Sequence, residues 1–317
     1  MKSLRIVFMG TPDFAVPTLE ALIEGSHEVI GAFCQPDKQR GRGQKITMCP
    51  VKETALKHNI PVYQPVTLRD EASEQLLREL NPDLIVVVAY GKILPPWLIA
   101  LPQYGCINVH ASLLPKYRGA APIQASILNG DTETGVTIMK MDDGLDTGDM
   151  LKVVTTAIEP LETAGQLFDR LAAMGGESIN SAISDWISGS IKPVKQDDAK
   201  ATYAGKITKE MGLIDWNESA RALGFKIRGL NPAPGCYTYF NGKRLKVWLA
   251  QTADAVSGSD NTPGTIVKVS ENSFFVATGN GVLEVLEVQP ENKKRMSAGD
   301  FCRGHQVKAG MAFNEQP

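Results

Sequence analysis

Asn108 and His110 lie two residues apart at the end of the apolar run Cys106–His110, and Asp146 follows inside a Gly-Leu-Asp-Thr-Gly turn. Residues two apart in a strand point to one face, so this amide and this imidazole would leave the strand end together. An asparagine N–H can donate to a carbonyl oxygen as it turns negative, which contributes roughly 10²–10³ in rate per donor. An imidazole can donate to the same oxygen or carry a proton, usually for about 10²–10⁴. A carboxylate can hold that imidazole in place. Position alone leaves His110 open between such a role and that of a buried histidine satisfied by its neighbours. It leaves Asp146 open between an orienting group and a turn former. Asp142, Asp143 and Asp149 read more simply as turn or capping residues. The other histidines, His27, His58 and His305, stand in polar contexts or near the C-terminus and read as structural.

Missing features narrow the reaction. No serine or cysteine is placed beside a base as a nucleophile, and no spacing matches a metal site. Gly10-Thr11-Pro12 follows the first apolar run, but there is no Gly-x-Gly-x-x-Gly. Pro12 also removes an amide that would cradle a pyrophosphate. No Walker-type loop occurs. Nucleotide hydrolysis and dinucleotide redox chemistry are thus disfavoured, and direct attack of a substrate nucleophile on a polarised carbonyl is left.

The elements that must position the trio can be read from periodicity. Leu4–Met9 and Val29–Cys34 read as strands, with Pro12, Ala15, Val16, Leu19, Leu22 and Ile23 at helical spacing between them. Asp83–Tyr90 has no polar alternation, as expected of a central parallel strand covered on both faces. Helical stretches near Val51–His58 and Asp70–Leu80 separate it from the second strand. Cys106–His110 is the next strand. Strand alternating with helix predicts an α/β, doubly wound parallel sheet, in which sites form at the carboxyl ends of the strands. Gln124–Leu128 ends a helix, Gly135–Met141 and Met150–Thr155 form a strand pair, and Thr163–Ile187 is a long helix that closes the domain. The polar stretch after it reads as a linker. Beyond, a helix at Ser219–Arg228 precedes short strands at Cys236–Phe240, Lys243–Leu249, Gly264–Val269, Phe274–Ala277 and Val282–Val288, a pattern that suggests a small β-barrel. The expected organisation is a first domain at 1–188, a linker at 189–205 and a second domain at 206–317.

With 317 residues, two domains are the prior. Residues 1–205 carry 19 Lys+Arg against 24 Asp+Glu, while residues 206–317 carry 14 against 11, so a mildly basic C-terminal third follows an acidic remainder. That asymmetry hints at a polyanionic partner. Five scattered cysteines without Cys-x-x-Cys spacing argue against a disulfide framework and for a reducing compartment. The N-terminal apolar run is too short for a signal peptide, and no run approaches the roughly 18–20 apolar residues of a membrane span. A cytoplasmic protein is expected.

Around the trio the chain resembles the folate-dependent formyltransferases, through Asn108, His110 and Asp146, Ser112-Leu113-Leu114-Pro115 and Tyr117-Arg118-Gly119. The resemblance extends over nearly the whole chain. It includes Gly10-Thr11-Pro12-Asp13-Phe14-Ala15, Gln35-Pro36-Asp37, Gly41-Arg42-Gly43, Val88-Ala89-Tyr90-Gly91, Leu145-Asp146-Thr147-Gly148-Asp149, Ile214-Asp215-Trp216 and Asn231-Pro232. It is closest to the members that act on methionyl-tRNA. What it implies is a Rossmann-like domain followed by a smaller OB-like barrel, and formyl transfer from 10-formyltetrahydrofolate to the amino group of methionyl initiator tRNA, without a metal. It also implies Asn108, His110 and Asp146 as catalytic. Ser112, Leu113, Leu114, Pro115, Ala89, Tyr90, Gly91, Ile93, Leu94 and Asp142 are implied as folate-binding. Three positions depart from the family pattern: Gln39-Arg40 where a proline is usual before Gly-Arg-Gly, Gly205 where a proline is common, and Ala233 where an aromatic is common. All lie outside the trio.

The tRNA side has its own signal. Pro36–Lys52 is long for a strand–helix connection and carries Lys38, Arg40, Arg42, Lys45 and Lys52 against Asp37. Charge alone fits a solvated loop as well as an acceptor-stem contact; the resemblance favours the contact, since phosphate contacts supply affinity and position. Lys206, Lys209, Lys243 and Arg244 are candidates for a second footprint on the C-terminal domain, and a monomer is expected. Two other readings stand beside this one. One is a formyltransferase acting on a small amine, such as an amino-sugar nucleotide or a glycinamide ribonucleotide. The other is a non-catalytic RNA-binding protein on a degenerate enzyme fold.

Overall fold

The computed structural model describes residues 3–40, 45–253 and 262–313, with the backbone alone for 38–40 and 45–46. The chain forms two compact units. The first comprises Met1–Pro122, Thr134–Thr156 and Phe168–Ala204; the second comprises Ile123–Glu133, Ala157–Leu167 and Gly205–Pro317. Two short inner segments therefore cluster with the C-terminal residues, and the stretch read as a linker clusters with the first unit up to Ala204.

The first unit is built on a seven-stranded sheet in the order Met150–Ala157, Glu133–Lys140, Cys106–His110, Leu84–Val88, Arg5–Gly10, Glu28–Phe33, Val62–Tyr63. The last five of these run parallel, and Glu133–Lys140 pairs antiparallel with Cys106–His110. The sheet is thus doubly wound and mostly parallel. Leu84–Val88 is fully buried because both faces are covered. It stops at Ala89, whose φ of 47° leaves the extended region. Two elements carry no clear sequence signal. A hairpin pairs Lys38–Arg40 with Lys45–Thr47 inside the long basic loop, and Tyr203–Ala204 pairs in parallel with Arg118–Gly119.

Helices close both faces of this sheet. Val16–Glu24 buries Thr18, Leu19 and Leu22. From Phe168 onward the long helix Ala164–Ile187 runs along the first unit. There Phe168 packs on Phe14 at 5.2 Å between ring centroids, and the Asn180 amide donates to the Ala21 carbonyl at 2.6 Å. A Cβ on Gly175 would lie 2.9 Å from Val109 Cγ1, so only glycine lets the helix approach the strand this closely. Val109 thereby faces the helix, and Asn108 and His110 face away from it.

The second unit holds a six-stranded antiparallel sheet: Cys236–Phe240, Lys243–Ala253, Val282–Pro290, Phe274–Ala277 and Ile266–Val269, with Met296–Ser297 beside Val282–Pro290. Lys243–Ala253 runs past the expected Leu249 and breaks register near it, which bends the strand. Leu223 and Ile227 of the Ala220–Gly229 helix, with Leu230 at its C-cap, pack into one core with Val247, Ala250 and Val285. After the strands the chain forms a helix that the sequence reading did not place, Ala298–His305, capped by Ser297, whose hydroxyl accepts from Asp300 N at 3.0 Å. Its Phe301 is held between Phe240 and Phe274.

Candidate active site

His110 is buried, and its Nε2 lies 3.0 Å from the Tyr117 carbonyl oxygen. A carbonyl can only accept, so this contact places a proton on Nε2. On the other side Nδ1 lies 3.7 Å from Asp146 Oδ2. That oxygen accepts a hydrogen bond from Gly119 N at 2.8 Å. Asn108 is half-buried on the same strand face, and its side-chain amide makes no hydrogen bond among the described residues. The structure thus brings the three predicted polar groups to one strand end, with imidazole and carboxylate held by backbone and the asparagine amide open.

The loop after the strand is fixed by Thr137, which stands opposite His110 in the antiparallel ladder. Its fully buried hydroxyl donates to Ser112 O at 2.7 Å and accepts from Leu114 N at 3.2 Å. Ser112 is also fully buried and donates to Lys116 O at 2.6 Å, so its hydroxyl serves the loop itself. Leu113 packs toward Gly135, Leu114 is buried, and Pro115 is half-exposed.

The other predicted folate positions divide in the same way. Tyr90 and Leu94 are core residues. The Tyr90 carbonyl accepts from Thr11 Oγ1 at 3.2 Å and Gln35 Nε2 at 3.1 Å, tying together three segments that follow parallel strands. Burial pushes its phenol pKa up. Ala89, Gly91 and Ile93 are exposed, Ile93 at 82%. They lie beyond the carboxyl end of Leu84–Val88, at the point where strand order reverses on either side of Arg5–Gly10. In open α/β sheets that crevice is where ligands bind. Asp142 accepts from Gly144 N at 3.0 Å and Thr147 Oγ1 at 2.6 Å, so its carboxylate shapes the turn that carries Asp146.

Three non-glycine residues around the site hold left-handed backbone: Ala89 at φ 47°, Tyr117 at φ 60° and Asp146 at φ 53°. Such conformations cost on the order of 1–3 kcal/mol each and persist only where the surroundings impose them. For Asp146 the restraint comes from a polar chain, running from the buried Arg118 through the half-buried Gln196, that spacing could not reveal. The Arg118 guanidinium donates to Gln196 Oε1 from Nε at 3.0 Å and Nη2 at 2.9 Å, and to Asp198 Oδ1 at 2.7 Å. Burial, the largest single influence, lowers its pKa, but the hydrogen bonds to Asp198 and Tyr203 and the charges of the two groups together outweigh it, and the value is raised. Gln196 Nε2 then donates to Asp146 O at 2.8 Å and Gly148 O at 2.7 Å.

The predicted tRNA residues are spread over both units. Arg42 and the side chains of Lys38, Arg40 and Lys45 lie outside the described residues. Lys206, Lys209, Lys243 and Arg244 are all exposed. In the second unit Arg244 Cζ lies 3.7 Å from the Tyr237 ring centroid, while Arg295 Cζ at 3.6 Å and Lys246 Nζ at 4.9 Å lie over Trp248. Burial, then the charges of Arg244 and Arg295, lower the Lys246 pKa. None of these three cations forms an ion pair among the described residues. Arg295 has no place among the sequence candidates; its tryptophan partner lies on a distant strand, which local charge cannot show.

Family models give an independent view. The formyl transferase model matches residues 4–183, and the model of the formyl transferase C-terminal domain matches residues 206–306. A methionyl-tRNA formyltransferase of Lachnospira eligens is 50% identical over 315 residues, covering 98% of this chain and 100% of the relative. Among solved structures, an N-formyltransferase from Helicobacter canadensis, in complex with folinic acid and dTDP-3-aminofucose, aligns with a TM-score of 0.68 at 19% identity. That alignment covers 91% of this chain and 100% of the other. A glycinamide ribonucleotide transformylase from Symbiobacterium toebii aligns with a TM-score of 0.51 at 16% identity, covering 62% of this chain and 95% of the other. Matched over both units and at half identity along its length, the chain belongs to the formyl transferase family, in the branch of the methionyl-tRNA formyltransferases.

Proposed function

We propose that this chain transfers the formyl group of 10-formyltetrahydrofolate to the α-amino group of methionyl initiator tRNA, acting as a monomer in the cytoplasm. The observation that carries the chemistry is the open Asn108 amide beside a buried His110 whose Nε2–H is already committed to backbone. When bound, the folate supplies an activated formyl carbonyl. Asn108 donates to the formyl oxygen as the amine attacks, and preorganised donors of this kind need no reorganisation during the reaction. His110 acts through Nδ1, the nitrogen that faces Asp146, either donating to the oxygen or receiving the amine proton, and the amine's proton ends on the folate nitrogen as the bond from that nitrogen to the formyl carbon breaks. Asp146 keeps the imidazole aligned.

The exposed backbone at Ala89 and Gly91, with Ile93, suits one edge and one face of a flat heterocycle at the strand-order reversal. The tRNA assignment is supported by the branch to which the chain belongs and by the Arg244–Lys246–Arg295 group, whose aromatic supports and lack of carboxylate partners among the described residues fit a phosphate backbone. A transfer assay with 10-formyltetrahydrofolate tests the reading. Charged initiator tRNA is expected to be formylated, with uncharged tRNA and small amines such as amino-sugar nucleotides inert. Turnover of a small amine at a comparable kcat/KM would overturn it.

A further inference from the structure

The residues that hold Asp146 in place reach it from a stretch with no motif of its own. We infer that Gln196 is a positioning residue for the transfer reaction, fixing the Asp146–Gly148 turn so that the carboxylate faces His110; the inference rests on the function proposed above. Its amide orientation is dictated by its partners. Arg118 can only donate, and the carbonyls of Asp146 and Gly148 can only accept. Oε1 must therefore face the guanidinium at 2.9 and 3.0 Å, and Nε2 must face the two carbonyls at 2.8 and 2.7 Å. Every hydrogen-bonding site engaged has one assignment.

The clamp grips Asp146 from both ends. Its carboxylate accepts from Gly119 N, and its backbone carbonyl accepts from Gln196. Both grips lead back to the Arg118–Gly119 segment, Gly119 directly and Gln196 through the Arg118 guanidinium. That segment is in turn fastened to residues 202–204: Arg118 N donates to Thr202 O at 2.8 Å, Tyr117 N to Thr202 Oγ1 at 2.9 Å and Ala120 N to Ala204 O at 2.9 Å. The stretch from Gln196 to Ala204 is thus a strap across the catalytic loop. Its function follows from the φ of 53° at Asp146: aspartate tolerates the left-handed region but does not require it, so the hold on its carbonyl selects this conformation. With the carbonyl released, the carboxylate swings away from a position already 3.7 Å from Nδ1.

The deciding variant is Gln196→Glu, which keeps the side-chain size and converts the Arg118 contact into an ion pair, but replaces both donors with acceptors facing carbonyls. In the transfer assay its kcat is expected to fall between about 10- and 100-fold, the loss typical of a group displaced by roughly 1 Å. KM for folate and for tRNA should stay near wild type, and amide exchange should accelerate at residues 144–149 alone. A double-mutant cycle separates positioning from general destabilisation: in an Asp146→Asn background, Gln196→Glu should cause no further loss of kcat. A wild-type kcat in Gln196→Glu, or losses that simply add in the cycle, would overturn the inference. If the wild-type protein itself fails to formylate charged tRNA, the proposed function falls instead, and the exchange measurement still reports whether Gln196 holds the turn.

Discussion

Truncating Asn108 to alanine should separate catalysis from stability more cleanly than any other change in this site. The Asn108 side chain is half-buried and makes no hydrogen bond to the described protein, so alanine strands no partner. The folding cost is that of an ordinary surface-like position, within about 0.5 kcal/mol, which moves the melting temperature by about 1–2 °C in a chain of this size. The transition state, by contrast, loses a full oxyanion donor, worth roughly 2.7–4 kcal/mol or 10²–10³ in kcat. Asn108→Asp retains the shape and reverses the polarity, so it should be at least as inactive as alanine. Single-turnover formylation of charged initiator tRNA, read beside calorimetric melting, measures both quantities. A kcat within tenfold of wild type for both variants would refute the role given to this amide. A large drop in melting temperature would show that the side chain supports the strand instead.

Three further outcomes follow from the geometry. Thr137→Val conserves shape but leaves Ser112 O and Leu114 N unpaired in a buried place, so urea denaturation should show a loss of at least about 1–3 kcal/mol and the KM for folate should rise. Arg295→Ala removes a cation stacked on Trp248; the log–log slope of tRNA binding against salt should become shallower by about 1, with the KM for folate unchanged. At the base of the basic hairpin, the Lys52 ammonium at 2.6 Å, then Gln64, hold the Asp37 carboxyl below its usual value. A depressed carboxyl pKa contributes stability above the unfolded value of about 3.9 and loses it as pH falls through the folded value. Asp37→Asn should therefore melt lower than wild type at pH 7, with the difference shrinking as the pH drops through about 4 and vanishing only below the depressed folded value.

Sequence patterns were most informative where chemistry and periodicity coincide. Leu84–Val88 could be placed because a doubly covered strand has no polar residues to interrupt it, and Cys106–His110 because apolar residues end abruptly in two polar ones. The helix Ala298–His305 was missed although Ser297 and Asp300 form its cap. Gly299 and Gly304 lower its propensity, and what stabilises it is Phe301 among aromatics contributed by distant strands. The stretch Ser188–Tyr203 has the composition of a tether. It is ordered through side chains and backbone that meet Arg118–Gly119, contacts between segments some 80 residues apart, as in Arg118 to Gln196 and Asp198.

The same division runs through the candidate site. Side chains projected by a strand are predictable because alternation fixes their face, and Asn108 and His110 needed only that rule. Asp146 sits in a turn, where no period applies and where aspartate is common for local reasons. Its position depends on a backbone angle that aspartate tolerates but does not require. That angle is maintained by Gly119 N and the Gln196 amide, and the glutamine is itself aligned by a buried arginine. Each link is a polar group satisfied by a partner remote in sequence, so none leaves a local pattern. This explains why spacing could set Asn108 and His110 on one strand face, why Asp146 joined them as a catalytic candidate only through the family resemblance, and why the alignment of the three left no signal. It also means that the 3.7 Å between Nδ1 and Oδ2 is set by the strap at Gln196–Ala204 as much as by the two residues it separates.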